Sequence, residues 1–252
     1  MEHIKFVLEA IAAKKQVQIL YACETGSRAW GFPSPDSDYD VRFIYMHKTD
    51  WYLSLGRRKD VVERMEGDLD ITGWDLRKSL QLLKKGNVPL IERFQSPIAY
   101  YGNPEFVAAF QSLIKAYYSP TAAFYHHYSL AKKVWADIRD AKAYKLKSWF
   151  YLMRSLLSCN WIVQDKTVLP MHIEGLMRYM ESACCDKLRG LIELKGSKDE
   201  KYMHEAEPFW LEWITEQFTY LEQHKHGLGV CSQGMELLDA FFLKMLYGET
   251  HG

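Results

Sequence analysis

The chain has 252 residues, enough for one large domain or two small ones, and at 48% hydrophobic it can build a sizeable core. Its 32 basic and 32 acidic residues cancel to a formal net charge of zero. That argues against a protein that coats nucleic acid by bulk electrostatics, but not against a local basic groove.

No apolar run is long enough to span a bilayer, and Glu9, Lys14 and Lys15 spoil the N-terminus as a signal peptide. The expectation is a cytoplasmic protein with no membrane partner. The five cysteines, Cys23, Cys159, Cys184, Cys185 and Cys231, are odd in number and lack C-x-x-C spacing. That pattern fits reduced thiols and no disulfide-linked partner.

Residues 2–15 carry Ile4, Val7, Leu8, Ile11 and Ala12 at helical spacing. The apolar run 17–23 reads as a buried strand. It leads into a small-residue turn at Gly26-Ser27, then a loop with Gly31, Pro33 and Pro35. Residues 39–46, aromatic and β-branched, read as a second strand. A loop over 51–59 ends in the basic tip Arg57, Arg58, Lys59, read as a solvated hairpin turn or, more sharply, as a contact to polynucleotide phosphate.

Two further strands are expected at 61–66 and 69–72, joined at Gly67. Asp75 is a plausible N-cap for a helix over 76–85 with Leu76, Leu80 and Leu83 as its buried stripe. From Pro104 onward strand signals fade. Helices are expected at 106–118, 121–143, 145–163, 172–194, 200–224 and 234–247, which places a domain boundary near Asn103. Pattern alone therefore gives α+β over 1–103 and all-α over 104–252.

Chemistry concentrates between Gly26 and Tyr45. On a strand successive side chains alternate faces, so Asp38 and Asp40 point the same way. Two carboxylates on one face, roughly 7 Å apart along the backbone, repel unless a cation lies between them. Hard divalent ions such as Mg2+ favour such oxygen ligands together with phosphate oxygens. Gly26 lets the backbone approach closely, and Ser27 offers a hydroxyl and an amide to phosphates.

Further on, Lys147, Tyr151 and Arg154 lie at i, i+4 and i+7 on one helix, on a stripe separate from its apolar one. This stripe reads either as an ordinary solvated face or as a cationic, aromatic wall for a nucleoside triphosphate. The histidine pairs His126-His127 and His224/His226 lack partners at zinc-ligand spacing, and no Walker loop or Ser-His-Asp arrangement is present.

A Gly-Ser turn followed about a dozen residues later by Asp-x-Asp on a strand resembles the DNA polymerase beta-type nucleotidyltransferase superfamily. Ala29-Trp30-Gly31-Phe32, Ser37-Asp38-Tyr39-Asp40 and Gly73-Trp74-Asp75-Leu76-Arg77-Lys78 look closer still to its bacterial and phage RNA repair pathway branch. The resemblance covers roughly the first hundred residues well and the helical remainder loosely.

It implies a small mixed-sheet nucleotidyltransferase domain followed by a helical domain. It also implies a third carboxylate, which Asp70 supplies between Leu69 and Ile71. The implied chemistry is transfer of a nucleoside monophosphate from a triphosphate to an acceptor hydroxyl, an RNA end in the first instance. Two Mg2+ ions, or Mn2+ in their place, would be held by Asp38, Asp40 and Asp70. Gly26, Ser27, Arg28, Lys147, Tyr151 and Arg154 would grip the nucleotide. Three rival readings are a small-molecule or protein hydroxyl as acceptor, an inactive nucleotide sensor, and an interaction scaffold.

Overall fold

The computed structural model describes residues 1–56 and 58–248. In chain order the elements are α1 (Glu2–Lys15), β1 (Gln18–Thr25), α2 (Gly26–Trp30), β2 (Tyr39–Met46), α3 (Thr49–Tyr52), β3 (Val61–Glu66) and β4 (Leu69–Asp75). Then follow α4 (Leu76–Lys84), α5 (Val88–Arg93), β5 (Ala99–Gly102), α6 (Pro104–Tyr117) and α7 (Pro120–Ile138). The remainder is β6 (Ala143–Lys145), α8 (Leu146–Asp165), α9 (Ile173–Leu176), α10 (Ser182–Gly196), β7 (Met203–Glu205), α11 (Pro208–His224) and α12 (Glu236–Tyr247). The architecture is α+β, a small mixed sheet joined to a large helical part.

Two compact units divide the chain, and both are discontinuous. The first takes Met1–Thr25, Asp38–Tyr117 and the chain from Cys231 onward; the second takes Gly26–Ser37 and Tyr118–Val230. The break expected at Asn103 falls at the start of α6, which clusters with the sheet.

The first unit is built on a five-stranded sheet in the order β3-β4-β2-β1-β5. Among the described strands of this sheet only the β2–β4 pair is parallel, with Asp40 opposite Asp70 and Arg42 opposite Thr72. Strand alternation sorts the faces. Val41, Phe43, Tyr45, Leu69 and Ile71 bury against Ile4, Val7, Leu8 and Ile11 of α1. The alternate residues Asp40 and Arg42 of β2 and Asp70, Thr72 and Trp74 of β4 are turned to the other face and remain half-exposed.

Gly73 is required by close packing, since a Cβ there would lie 2.2 Å from the ring of buried Phe43. Asp75 caps α4 as expected, its Oδ1 accepting from the Arg77 amide at 2.9 Å. Phe94 stacks on Tyr21 at 4.7 Å and on Phe110 at 4.3 Å, tying α5 and α6 to β1.

In the second unit α8 is buried almost all round, packing along α7 and against α11. A helix buried on nearly every side belongs in a core. The expected all-α character has one addition, a two-stranded ribbon of β6 and β7. That pairing delays the helix expected from residue 200 until α11, whose first residue, Pro208, has no amide to lose there. The helix expected over 172–194 is divided, because Met180 and Glu181 take extended backbone between a 3-10 turn and α10.

Candidate active site

The carboxylate site lies on the half-exposed face of the sheet. Parallel register sets Asp40 beside Asp70, and Arg42, two residues on, reaches both. Its Nη2 donates to Asp40 Oδ1 at 2.9 Å and to Asp70 Oδ2 at 2.8 Å. The backbone of Asp40 is held from β1: its amide donates to Glu24 Oε1 at 2.8 Å, and its carbonyl accepts from Thr25 Oγ1 at 3.0 Å. Glu24 is fully buried, and Tyr100 donates its hydroxyl to Glu24 Oε2.

Cys23 pairs with Arg42 across the strands, and burial pushes its thiol up to about 12. Arg93 of α5 lies 3.4 Å over the Trp74 ring. Burial pulls it down to about 9, the nearby Cys23 opposes that shift and Arg42 adds to it.

Asp38 stands exposed just before β2. Among the described residues no three His, Cys, Asp or Glu side chains gather closely enough to hold a metal ion. The structure brings Asp40 and Asp70 together. Those two carboxylates suit a hard divalent cation by donor type. They also already share one positive group, the Arg42 guanidinium, between their oxygens.

The serine segment belongs to the second unit. Gly26, with φ 64°, turns the chain out of β1 into α2. Ser27 Oγ donates to Ser37 Oγ at 3.1 Å, and Ser37 Oγ donates to Glu200 Oε1 at 2.9 Å. Arg28 Nη2 donates to the Ser37 carbonyl at 2.6 Å. Lys147 pairs with the other oxygen of Glu200 at 2.5 Å. Ser27, Ser37, Glu200 and Lys147 thus form one polar chain.

Tyr151 meets Trp30 edge-on with centroids 5.2 Å apart, and Arg154 lies 4.6 Å over the same ring. Arg154 is only 5% exposed and donates Nη2 to the Met171 carbonyl at 3.2 Å. Its visible role is to seat Trp30, not to present a charge to solvent. Lys195, 1% exposed, donates to Ser34 Oγ at 2.8 Å, and burial lowers its pKa.

Of the basic tip, Arg57 lies outside the described residues. Arg58 Nε donates to Ser54 Oγ at 3.2 Å, and Lys59 pairs loosely with Glu63 at 3.9 Å. Sequence reasoning overlooked Arg42, Glu24 and Glu200. Arg42 was within reach, because it shares the parity that groups Asp38 with Asp40. Glu24 was signalled as a lone acid in an apolar strand. Glu200 is far away in sequence and carries no local signal.

Residues 1–244 match the RNA repair pathway DNA polymerase beta family. The chain belongs to that family. A relative from Bacillus subtilis (strain 168), the uncharacterized protein YcgL, is 41% identical over 196 residues, covering 77% of this chain and 75% of that one. A nucleotidyltransferase-like protein from Exiguobacterium sibiricum 255-15 aligns over 98% of this chain and 81% of its own with 8% identity and a TM-score of 0.30. Similarity at that level adds nothing to the architecture described above. Family membership supports a nucleotidyltransferase-like function. Among the described residues no helix is long and apolar enough to cross a membrane.

Proposed function

We propose that the protein is a Mg2+-dependent nucleotidyltransferase that moves a nucleoside monophosphate from a triphosphate to an acceptor hydroxyl, an RNA end in the first instance. One observation carries the reading: Asp40 and Asp70 are register partners on a parallel pair, with their carboxylates converging on a single cation. The family assignment over residues 1–244 supports it independently.

Asp40 and Asp70 would hold the metal, Mg2+ or Mn2+, and Asp38 is assigned to the same ions by its strand parity. Metal bound there would neutralise charge developing on the entering and leaving oxygens of an in-line displacement. Asp70 is assigned the acceptor side, where its carboxylate can draw off the hydroxyl proton. Gly26, Ser27 and the nearby amides are assigned to the β- and γ-phosphates. Arg28 and Lys147 are assigned to the same phosphates. Lys147 would exchange its bond to Glu200 for a phosphate oxygen. Tyr151 and Arg154 act through Trp30, which they pack against, and so keep the serine segment in place.

The test is incubation with each α-labelled nucleoside triphosphate and Mg2+ in the presence of RNA, protein and small-molecule hydroxyls. The expected result is label in RNA, lost in Asp40→Asn and Asp70→Asn. Label in a protein or small product instead would favour the second reading, the same chemistry on another acceptor, which the zero net charge supports. Nucleotide binding with no transfer to any acceptor would overturn the enzyme assignment in favour of a sensor.

A further inference from the structure

Arg42 is held unusually fully for a part-exposed side chain. Beyond the two carboxylate contacts of Nη2, its Nη1 donates to the Val41 carbonyl at 3.1 Å and to the Asp70 carbonyl at 2.9 Å. Four acceptors fix one guanidinium between two strands, and the side chain is only 18% exposed. The planar fork suits this bidentate task in a way an ammonium would not.

The oxygens it occupies, Asp40 Oδ1 and Asp70 Oδ2, are the two that converge on one point, where the proposed metal would bind both carboxylates. A divalent ion and a guanidinium cannot share those two oxygens without like-charge repulsion. A second arginine sharpens the conflict. Arg93 lies 4% exposed on the same sheet face, close enough for the two positive charges to oppose each other, and its Nη1 has no hydrogen-bond partner. Three positive groups around two carboxylates would leave the site over-neutralised.

We propose that Arg42 is a displaceable internal counterion of the Asp40–Asp70 pair, so that a divalent metal enters only by exchange with its guanidinium. This rests on the reading of Asp40 and Asp70 as metal carboxylates. It adds that metal loading is a swap of cations. The metal affinity is then set by what Arg42 gives up as well as by what the carboxylates gain. Arg42 also stabilises the pair when it is not exchanged, because two facing carboxylates with no cation repel.

The experiment uses the full chain and Mn2+ without nucleotide, with binding measured by calorimetry and by the electron paramagnetic resonance of free Mn2+. Arg42→Gln keeps a donor and removes the charge. It should bind Mn2+ roughly tenfold or more tightly than the wild type, the fold-change expected when two part-exposed ion pairs need not be broken. In urea it should be less stable than the wild type without Mn2+ and should recover more of its stability when Mn2+ is added.

Arg42→Lys, which keeps the charge but loses the fork, should bind with intermediate affinity, and it carries the test if Arg42→Gln does not fold. Equal or weaker Mn2+ binding in these variants, with Asp70→Asn abolishing binding throughout, would overturn the exchange and leave the metal reading standing. No Mn2+ binding in the wild type or either variant would overturn both.

Discussion

Replacing Glu24 with alanine tests how Asp40 is held in place. The Glu24 carboxylate is fully buried and accepts from the Asp40 amide at 2.8 Å and from the Tyr100 hydroxyl. Alanine would leave both donors without that acceptor inside the sheet. Each hydrogen bond to a charged acceptor contributes about 1.5–3 kcal/mol, offset in part because a carboxylate no longer has to be desolvated. The net loss should be about 2–4 kcal/mol, a large share of a typical total of roughly 5–15 kcal/mol.

Glu24→Gln keeps an oxygen for the Asp40 amide and offers an amide to Tyr100, whose hydroxyl can also accept, so it should cost only about 1 kcal/mol. Urea unfolding at neutral pH reads the difference: the midpoint should fall in the order wild type, Gln, Ala, with the slope unchanged. Equal losses for the two variants, or an alanine cost under about 0.5 kcal/mol, would refute the view that this carboxylate organises the strand carrying Asp40.

Three other outcomes are expected. Asp40→Asn and Asp70→Asn should each lower kcat/KM for nucleotidyl transfer by an amount equivalent to several kcal/mol, since a neutral amide holds a divalent ion far more weakly than a carboxylate; a loss of less than tenfold would contradict the assignment. Gly73→Ala should destabilise the protein by about 1–3 kcal/mol through collision with the Phe43 ring, and Phe43→Leu in the same chain should recover part of that loss.

Asp75 has its carboxyl pKa raised by burial, against the opposing bonds from Tyr52 and the Arg77 amide. A raised carboxyl means the folded state binds more protons than the unfolded one in that window, so the stability contributed by this group falls as pH rises. Relative to Asp75→Asn, the wild type should therefore lose stability between about pH 4, near the unfolded carboxyl value, and neutrality. Parallel stability curves for the two proteins over that range would contradict it.

The carboxylate face was readable because strands have a period of two. The positions of Asp40, Asp70 and the caps of α4 are local consequences of alternation and capping, and β2 and β3 were placed to the residue. What was missed depends on distance along the chain. Glu200 reaches Ser37 across 163 positions, and Lys195 reaches Ser34 across 161, so no window on the sequence contains both partners. β5 is a short strand whose pairing with β1 gives it order that its own four residues do not signal. The stripe Lys147, Tyr151, Arg154 was found by helical spacing. The burial of Arg154 against Trp30 was not, because spacing gives a direction around the helix and not what lies in that direction.

The excursion of residues 26–37 into the second unit has a consequence for biosynthesis. A ribosome releases β1 and β2 early, but residues 26–37 between them lack their packing surface until α8 and the residues near 200 emerge. The sheet's own unit in turn waits for α12, near the last described residue. The second unit has all its residues once Val230 has emerged, so the sheet's unit, begun first, is the last to be completed.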